Sequence, residues 1–453
     1  MDARVDLTEG SILKKLIIFI IPMFIGNLFQ QLYNLSDALI IGNFADNNAF
    51  AAVTSTGSFI FMLIGFFNGI AMGASVVISK YIGAKDKENT KKSIHTVAAF
   101  GIVASILATV IGLVLTPYIL VWMDTPKEVY PEALAYLSIY FGGVSTVVIY
   151  NVCMGIMRAS GDSTHPLYYL IISSILNVLL DLLFVAVFDF GVAGAAVATV
   201  ISQGVSCVLS IIRLVRLKDE TRLIIKEIKF HQGMLKQTLL IGLPTGLQNS
   251  IISIGNLVVQ TNINSFGPFA MSGYGAYAKI EGFAFLPITC MSMGLTTFVS
   301  QNLGAKKYKR AKKAAIMGTT LSVIIAQLIG LVLMLSSNSL LRLFIDEEEA
   351  ISYGMTQAKI VSMFFFLLAF SHCASGILRG CGKSLVPMFT MLAFWCGVRV
   401  TYVTIAIKYF PVFKTISWAY PITWSLSSIV FIIILLTTDW VHGLEDKKVL
   451  NFN

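Results

Sequence analysis

GIMRASGDSTHP, residues 155–166, returns 221 residues later as GILRGCGKSLVP, residues 376–387. Gly155, Arg158, Gly161 and Pro166 of the first copy fall on Gly376, Arg379, Gly382 and Pro387 of the second. The same offset carries Gly83-Ala84-Lys85 onto Gly304-Ala305-Lys306 and Gly73 onto Gly294, and Pro22 agrees with Pro244 to within one residue. Self-similarity at a fixed offset over this length marks two units of like build. What one half is made of therefore decides the architecture of the whole.

Hydrophobic residues make up 56% of the 453 and charged residues 13%, more apolar surface than a water-soluble fold can hide. Apolar runs recur near residues 12–43, 51–79, 93–115, 133–157, 166–187, 192–212, 237–264, 272–302, 314–335, 352–378, 385–407 and 416–438. Each is long enough to cross roughly 30 Å of hydrocarbon as a helix. Asp2, Asp6 and Glu9 precede the first run and no small-residue cleavage site follows it, so it is expected to be a retained helix and not a signal peptide.

The net charge of +9 is explained by sidedness. Of the 33 Lys and Arg residues, 26 fall on alternate connections that share one face, from Arg4, Lys14 and Lys15 through the 80–92, 213–236 and 306–313 loops to Lys447 and Lys448. The opposite connections hold four, Lys127, Arg342, Lys408 and Lys414. That asymmetry makes both termini cytoplasmic, requires an even number of spans, and leaves no basic surplus to explain by a nucleic-acid partner. Six spans separate equivalent points of the repeat, so the halves share one orientation and are related by an axis along the membrane normal. The expectation is an all-α integral membrane protein of twelve transmembrane helices: a six-helix lobe over 1–212, a cytoplasmic linker over 213–236, a second six-helix lobe over 237–438 and a cytoplasmic tail over 439–453.

Enzymatic chemistry has little foothold. The six cysteines are scattered with no CxxC pair and the five histidines are isolated, so no disulfide framework, metal centre or cofactor is expected. Gly382-Lys383-Ser384 looks like the close of a phosphate-binding loop, but the glycine such a loop needs five residues earlier is Ile377. Glu347-Glu348-Glu349 lies on an external loop and reads as a solvated face.

The acids inside the membrane carry the functional signal. A charged side chain at the centre of a spanning helix costs about 2.5–3.5 kcal/mol on insertion scales. Asp37 nonetheless closes the first span, on one helix face with Gln30 and Asn34 at spacings of three and four. Pro22 lies fifteen residues earlier, where its missing donor permits a bend. Asp181 ends the fifth span with Asn177 four residues before it on the same face. In the repeat, Asn177 and Asp181 fall on Val398 and Tyr402, and Asp37 on Val258 or Val259, so these acids belong to the N-terminal half alone. The plainer alternative, that each acid only braces a neighbouring helix, has the insertion cost against it. Lys279 and Glu281 are two residues apart and cannot face each other on a helix. Lys359 is placed to snorkel towards an interface, and Arg399 either touches substrate or braces the C-terminal lobe.

Pro22, the run Asn27-Leu28-x-Gln30-Gln31-x-Tyr33-Asn34-x-x-Asp37, the Gly-Ala-Lys loops, the Arg-x-x-Gly-Asp and Arg-x-x-Gly-Lys turns and Asn177-x-x-x-Asp181 together resemble bacterial MATE (multidrug and toxic compound extrusion) transporters, the DinF-like branch especially. The likeness covers nearly the whole chain. It implies a V-shaped pair of six-helix lobes in the bacterial inner membrane that exports cationic or amphipathic drugs in exchange for protons or sodium. It further implies a cation site at Asp37, Asn177, Asp181 and Thr199, which would also hold sodium where sodium is the coupling ion. Thr199 rests on the resemblance alone. A drug cavity is implied at Gln30, Tyr33, Asn34 and Asn151, with a hinge at Pro22. The NorM-like branch places a carboxylate on the seventh helix, whereas Gln248–Gln260 has none, so a second cation site there is not expected.

The nearest alternative is a flippase of lipid-linked saccharides from the same broad superfamily. Its phosphorylated substrates favour a cavity rich in Arg and Lys, yet the N-terminal lobe has no basic residue in mid-membrane and only Arg399 supports that reading. A membrane-embedded transferase would need acids, histidines or metal ligands clustered near one interface, and the sequence offers no such cluster. The expected partners are small-molecule substrates and membrane lipids, and nothing in the sequence demands more than a monomer.

Overall fold

The computed structural model describes residues 4–45 and 47–444; Asp2 and the last nine residues, with Lys447 and Lys448 of the expected tail, lie outside the described residues. Among the described residues the chain forms long helices in the expected order. In the N-terminal half these are α1 (Ile12–Phe44), α2 (Asn47–Gly83), α3 (Lys87–Trp122), α4 (Tyr130–Ala159), α5 (Thr164–Val187) and α6 (Gly191–Arg216). The C-terminal half supplies α7 (Gln232–Asn264), α8 (Pro268–Gly304), α9 (Tyr308–Leu341), α10 (Glu348–Gly380), α11 (Leu385–Tyr409) and α12 (Phe413–Thr437). Eleven of them are long and apolar enough to cross a membrane by length and composition. The other, α7, matches them with 33 residues, but Gln248, Asn249, Asn256, Gln260 and Asn262 dilute its hydropathy. The protein is thus an all-helical, multi-pass membrane protein.

α3 shows how a chain packs when its outer solvent is lipid. Its large residues Ile102, Val103, Ile106, Leu107, Val110, Ile111 and Val114 are exposed, while Gly101, Ala104, Ser105, Ala108, Gly112 and Thr116 are buried. The buried set recurs every three or four residues and so forms one face. Small residues let backbones approach closely where hydrocarbon outside removes the drive to bury large ones. A Cβ at Gly101 would sit 3.0 Å from the Val152 side chain on α4.

The repeat extends to backbone detail. Lys85 and Lys306, in the two Gly-Ala-Lys loops, both have left-handed φ, at 56° and 57°, and Gly161 and Gly382 in the two turns have φ of 79° and 82°. The amides of Ser160, Gly161 and Asp162 donate to the carbonyls of Ile156, Arg158 and Met157; those of Cys381, Gly382 and Lys383 donate to Ile377, Arg379 and Leu378, each 221 residues on. Helix contacts repeat as well. A Cβ on Gly155 would lie 2.9 Å from the carbonyl oxygen of Ala71, and one on Gly376 would lie 2.5 Å from that of Ser292, again 221 residues on.

The chain forms two compact units. One holds Ile21–Leu239 with the N-terminal residues up to Asp6; the other holds Leu7–Ile20 and the chain from Leu240 onward. α1 therefore passes from one unit to the other between Ile20 and Ile21, beside Pro22, which lies inside the helix. In the first unit α4 packs against α2, α3 and α6; in the second α8 packs against α9 and α10. The basic stretch after α6 folds back onto the first unit. Ile224 N donates to His95 Nε2 at 3.0 Å, His231 N donates to Thr96 Oγ1 at 3.1 Å, and Lys91 pairs with Glu227 at 2.6 Å.

α3 starts where Asp86 caps it. The Asp86 carboxylate accepts from Asn89 N at 3.0 Å and Asn89 Nδ2 at 2.7 Å, and these bonds hold its pKa below the ordinary carboxylate value. A depressed carboxylate stabilises the fold above its unfolded pKa and loses that contribution as pH falls through the lower, folded value. Asp86→Ala is expected to cost about 1 kcal/mol of local stability. Hydrogen exchange at the first-turn amides of α3 should rise in the variant at neutral pH, and the difference from wild type should vanish at pH below the folded pKa.

Candidate functional site

Asp37 reaches the interior because α1 continues past Pro22 as one helix, with Gln30, Tyr33, Asn34 and Asp37 at spacings of three and four. Asp181 is the last α-helical residue of α5; from Leu182 to Val187 the helix winds with the wider π turn, a departure common at functional sites. Asp181 is fully buried, Asn177 is 1% exposed, and Asp37 and Thr199 are half-buried. The carboxylates of Asp37 and Asp181 lie within hydrogen-bonding reach of each other. Asn177 Nδ2 donates to Thr199 Oγ1 on α6 at 3.5 Å. The four residues expected to take a cation thus come from α1, α5 and α6, within one unit.

Tyr33 connects them to the polar face of α1. Its hydroxyl accepts from Gln203 Nε2 at 3.2 Å, bonds with the Gln30 side chain, and lies within electrostatic reach of both acids. Asn34 is exposed on α1. Asn151, on α4, is 7% exposed and donates to its own helix at Val147 O, 2.9 Å away, and among the described residues no hydrogen bond draws it into this cluster. Three side chains that the sequence did not single out belong to the site. Gln203 bonds Tyr33, and Tyr136 and Tyr140 on α4 bring buried hydroxyls within electrostatic reach of Tyr33, Tyr136 also facing both acids. Beyond the acids an apolar cluster that includes Ile40, Ile41, Tyr136, Tyr140, Phe141 and Val185 closes the unit.

Asp37 Oδ1, Asn177 Oδ1 and both oxygens of Asp181 are buried and have no hydrogen-bond donor among the described residues. Nor is any basic side chain among the groups acting on the two carboxylates. Buried acceptors without donors cost several kcal/mol, and ionised ones more. A group that gathers only acceptors is chemically complete when something positive enters it. Carboxylate, amide and hydroxyl oxygens are hard donors, suited to a proton or a hard cation and poorly suited to a soft transition metal. Among the described residues no group of three or more His, Cys, Asp and Glu could hold a metal ion.

Known proteins share this arrangement of helices. The MatE family model matches residues 22–183 and 244–403, one match in each half. The probable multidrug resistance protein YpnP of Bacillus subtilis is 28% identical over 391 residues, covering 86% of this chain and 87% of its own. The probable multidrug resistance protein NorM of Thermotoga maritima is 26% identical over 418 residues, covering 88% and 87%. A solved outward-facing multidrug resistance MATE family transporter of the MOP superfamily superposes with a TM-score of 0.90 at 22% identity, over 97% of this chain and 98% of that one. With both halves matched by one family model, and with helices, repeat and fold all in agreement, the chain belongs to the MatE family: it is a multi-pass membrane transporter and not an enzyme.

Proposed function

We propose that the protein is a secondary antiporter that exports cationic or amphipathic compounds across the bacterial inner membrane, with both termini cytoplasmic, in exchange for a cation bound at Asp37, Asn177, Asp181 and Thr199. The observation that carries this reading is the set of four buried oxygens, three of them carboxylate, that have no donor among the described residues. A substrate cation and a coupling cation compete for the same negative charge. While the acids are ionised they attract a cationic headgroup that comes along Gln30, Tyr33 and Asn34, with Asn151 of α4 as a further polar contact. When the coupling ion binds, the attraction ends and the substrate leaves. Pro22 is the proposed hinge, because it removes a backbone donor inside α1 next to the point where the helix leaves one compact unit for the other. The names of the YpnP and NorM relatives describe multidrug resistance, which export of such compounds would confer.

Proton and sodium make different demands. One proton, placed between Asp37 and Asp181, turns two facing acceptors into a donor and an acceptor and leaves a single charge. Sodium needs both carboxylates ionised and further oxygens, which Asn177 and Thr199 provide. Exchange of one proton for one monovalent cation moves no net charge, so about 1.4 kcal/mol per pH unit is available, a roughly tenfold substrate gradient.

The test follows efflux of a fluorescent monocationic dye from cells lacking their own pumps while the proton and sodium gradients are collapsed one at a time. Wild type is expected to export the dye, and one collapse is expected to stop it, which names the ion. Export that survives loss of both gradients would rule out antiport through this site.

A further inference from the structure

The second unit keeps charge in the membrane in another form. Arg399 follows a π-helical segment of α11, Leu392–Val398, much as Asp181 borders one in α5. It is 2% exposed. Its Nε and one Nη donate to Thr423 Oγ1 at 3.3 and 3.0 Å, and the other Nη reaches Asn256 Oδ1 at 3.5 Å. The guanidinium lies over the rings of Tyr420 and Trp395, 4.5 and 5.5 Å from their centres. Glu281 on α8 is the acid within its electrostatic reach, yet the two make no ion pair within 4.0 Å among the described residues. Arg399 is pinned on neutral partners from α7 and α12 and held back from the carboxylate.

Glu281 is correspondingly under-used. It is half-buried, and Oε1 takes one long bond, 3.4 Å, from the Tyr277 hydroxyl, which also lies 3.3 Å from Ser362 Oγ. Tyr274 and Tyr420, whose hydroxyls meet at 2.8 Å, both lie within electrostatic reach of Glu281. Lys279, two residues away, turns instead to the Phe344 ring. A guanidinium meant only to neutralise Glu281 would make the short bidentate pair that arginine forms readily. The arrangement instead leaves a reachable carboxylate among tyrosines, with a fixed positive charge behind it. Carboxylate and aromatic faces together are what an organic ammonium binds.

We propose that Glu281 is a second recognition site for the cationic headgroup of a substrate, an organic ammonium, and that Arg399 is the fixed counter-charge that keeps its hold weak enough for release. The proposal rests on the reading of this protein as an exporter of organic cations. Its signature is a sign: removing the positive charge of Arg399 tightens substrate binding, whereas removing a brace would loosen it.

The experiment measures fluorescence anisotropy of a monocationic aromatic dye, ethidium, on the purified full-length protein in nanodiscs, with an uncharged dye of similar size as control, and compares the variants at a pH of about 9–10, so that loss of the guanidinium does not also protonate Glu281. Glu281→Gln is expected to weaken ethidium binding by about tenfold or more and Arg399→Gln to tighten it by about tenfold, from charge effects at this range. Arg399→Lys, which keeps the charge, should stay near wild type, and the uncharged dye should be indifferent to all three. Glu281 and Gln are isosteric and Gln retains an acceptor for Tyr277, so that variant decides the matter even where Arg399→Gln does not fold. Unchanged ethidium affinity in Glu281→Gln would overturn the site while leaving cation export standing. Weaker binding in Arg399→Gln than in Arg399→Lys would make Arg399 a brace and overturn the counter-charge role. Wild type that binds no ethidium at all would overturn the export reading, and this site with it.

Discussion

Asp181→Asn abolishes ion-driven export while the protein stays folded, inserted and at least as stable as wild type. The two halves of that expectation have one cause. Asp181 is fully buried, neither of its oxygens meets a donor among the described residues, and its nearest charged neighbour is the like-charged Asp37. Asparagine has the same shape but can neither ionise nor carry a proton, so the exchange loses its charge carrier and efflux falls to that of cells without the protein. The new amide also supplies the donor this site lacks, facing Asp37 or Asn177 Oδ1. One recovered buried hydrogen bond is worth roughly 1 kcal/mol, or about 2–4 °C in melting temperature for a unit of this size. A brace would behave in the opposite way, because removing one partner of a needed interaction destabilises. The paired measurement is dye efflux in cells and thermal unfolding of the purified variant. A variant that melts well below wild type, or exports at the wild-type rate, would return Asp181 to a structural role.

Much of this was legible in the sequence for a definite physical reason. Lipid removes the ambiguity between buried and exposed apolar residues, so each run longer than the hydrocarbon is thick must be a helix. Every expected span lies inside one observed helix apart from small differences at the ends, and the run over 237–264 is the interior of α7 although polar residues dilute it. Asp37, Asn177 and Asp181 stood out because a buried acid is expensive. Tyr136, Tyr140 and Gln203 did not, since a neutral polar side chain in a helix costs too little to mark itself. Gln203 alone left a usable trace, four residues after Thr199 and therefore on the same face of α6. The setting of Arg399 was out of reach, because Asn256, Tyr420 and Thr423 come from helices that only the fold brings together. The Gly-Ala-Lys loops hold a subtler lesson. A glycine at a helix end invites the assignment of left-handed backbone to it, yet Gly83 and Gly304 end their helices and the left-handed residues are Lys85 and Lys306.

Gly376→Val is expected to lower the melting temperature by more than about 6 °C, from an overpacking cost of about 3 kcal/mol. Gly376 is where α10 meets α8 backbone to backbone. A Cβ there would lie 2.5 Å from Ser292 O, 2.7 Å from Ser292 Oγ and 3.1 Å from Thr296 Oγ1, so the helices must part. Parting them strains bonds that cross the contact: Ser292 Oγ to His372 O at 2.6 Å, Thr296 Oγ1 to Gly376 O at 3.0 Å, and Arg379 Nη to Ser292 Oγ at 3.3 Å. The repeat supplies an internal control. At Gly155, the equivalent position on α4, the added Cβ would meet Ala71 O at 2.9 Å, then the Ala71 carbonyl carbon at 3.6 Å and its Cβ at 3.7 Å, with no hydroxyl among these nearest atoms. Gly155→Val should therefore cost less than Gly376→Val, although both glycines occupy the same place in the motif. Thermal unfolding of both variants in one detergent decides the order. Equal losses would mean that backbone separation alone sets the cost; a smaller loss at Gly376 would mean that the Ser292 and Thr296 hydroxyls swing aside, and that the polar contacts around Gly376 do not tie the two helices together.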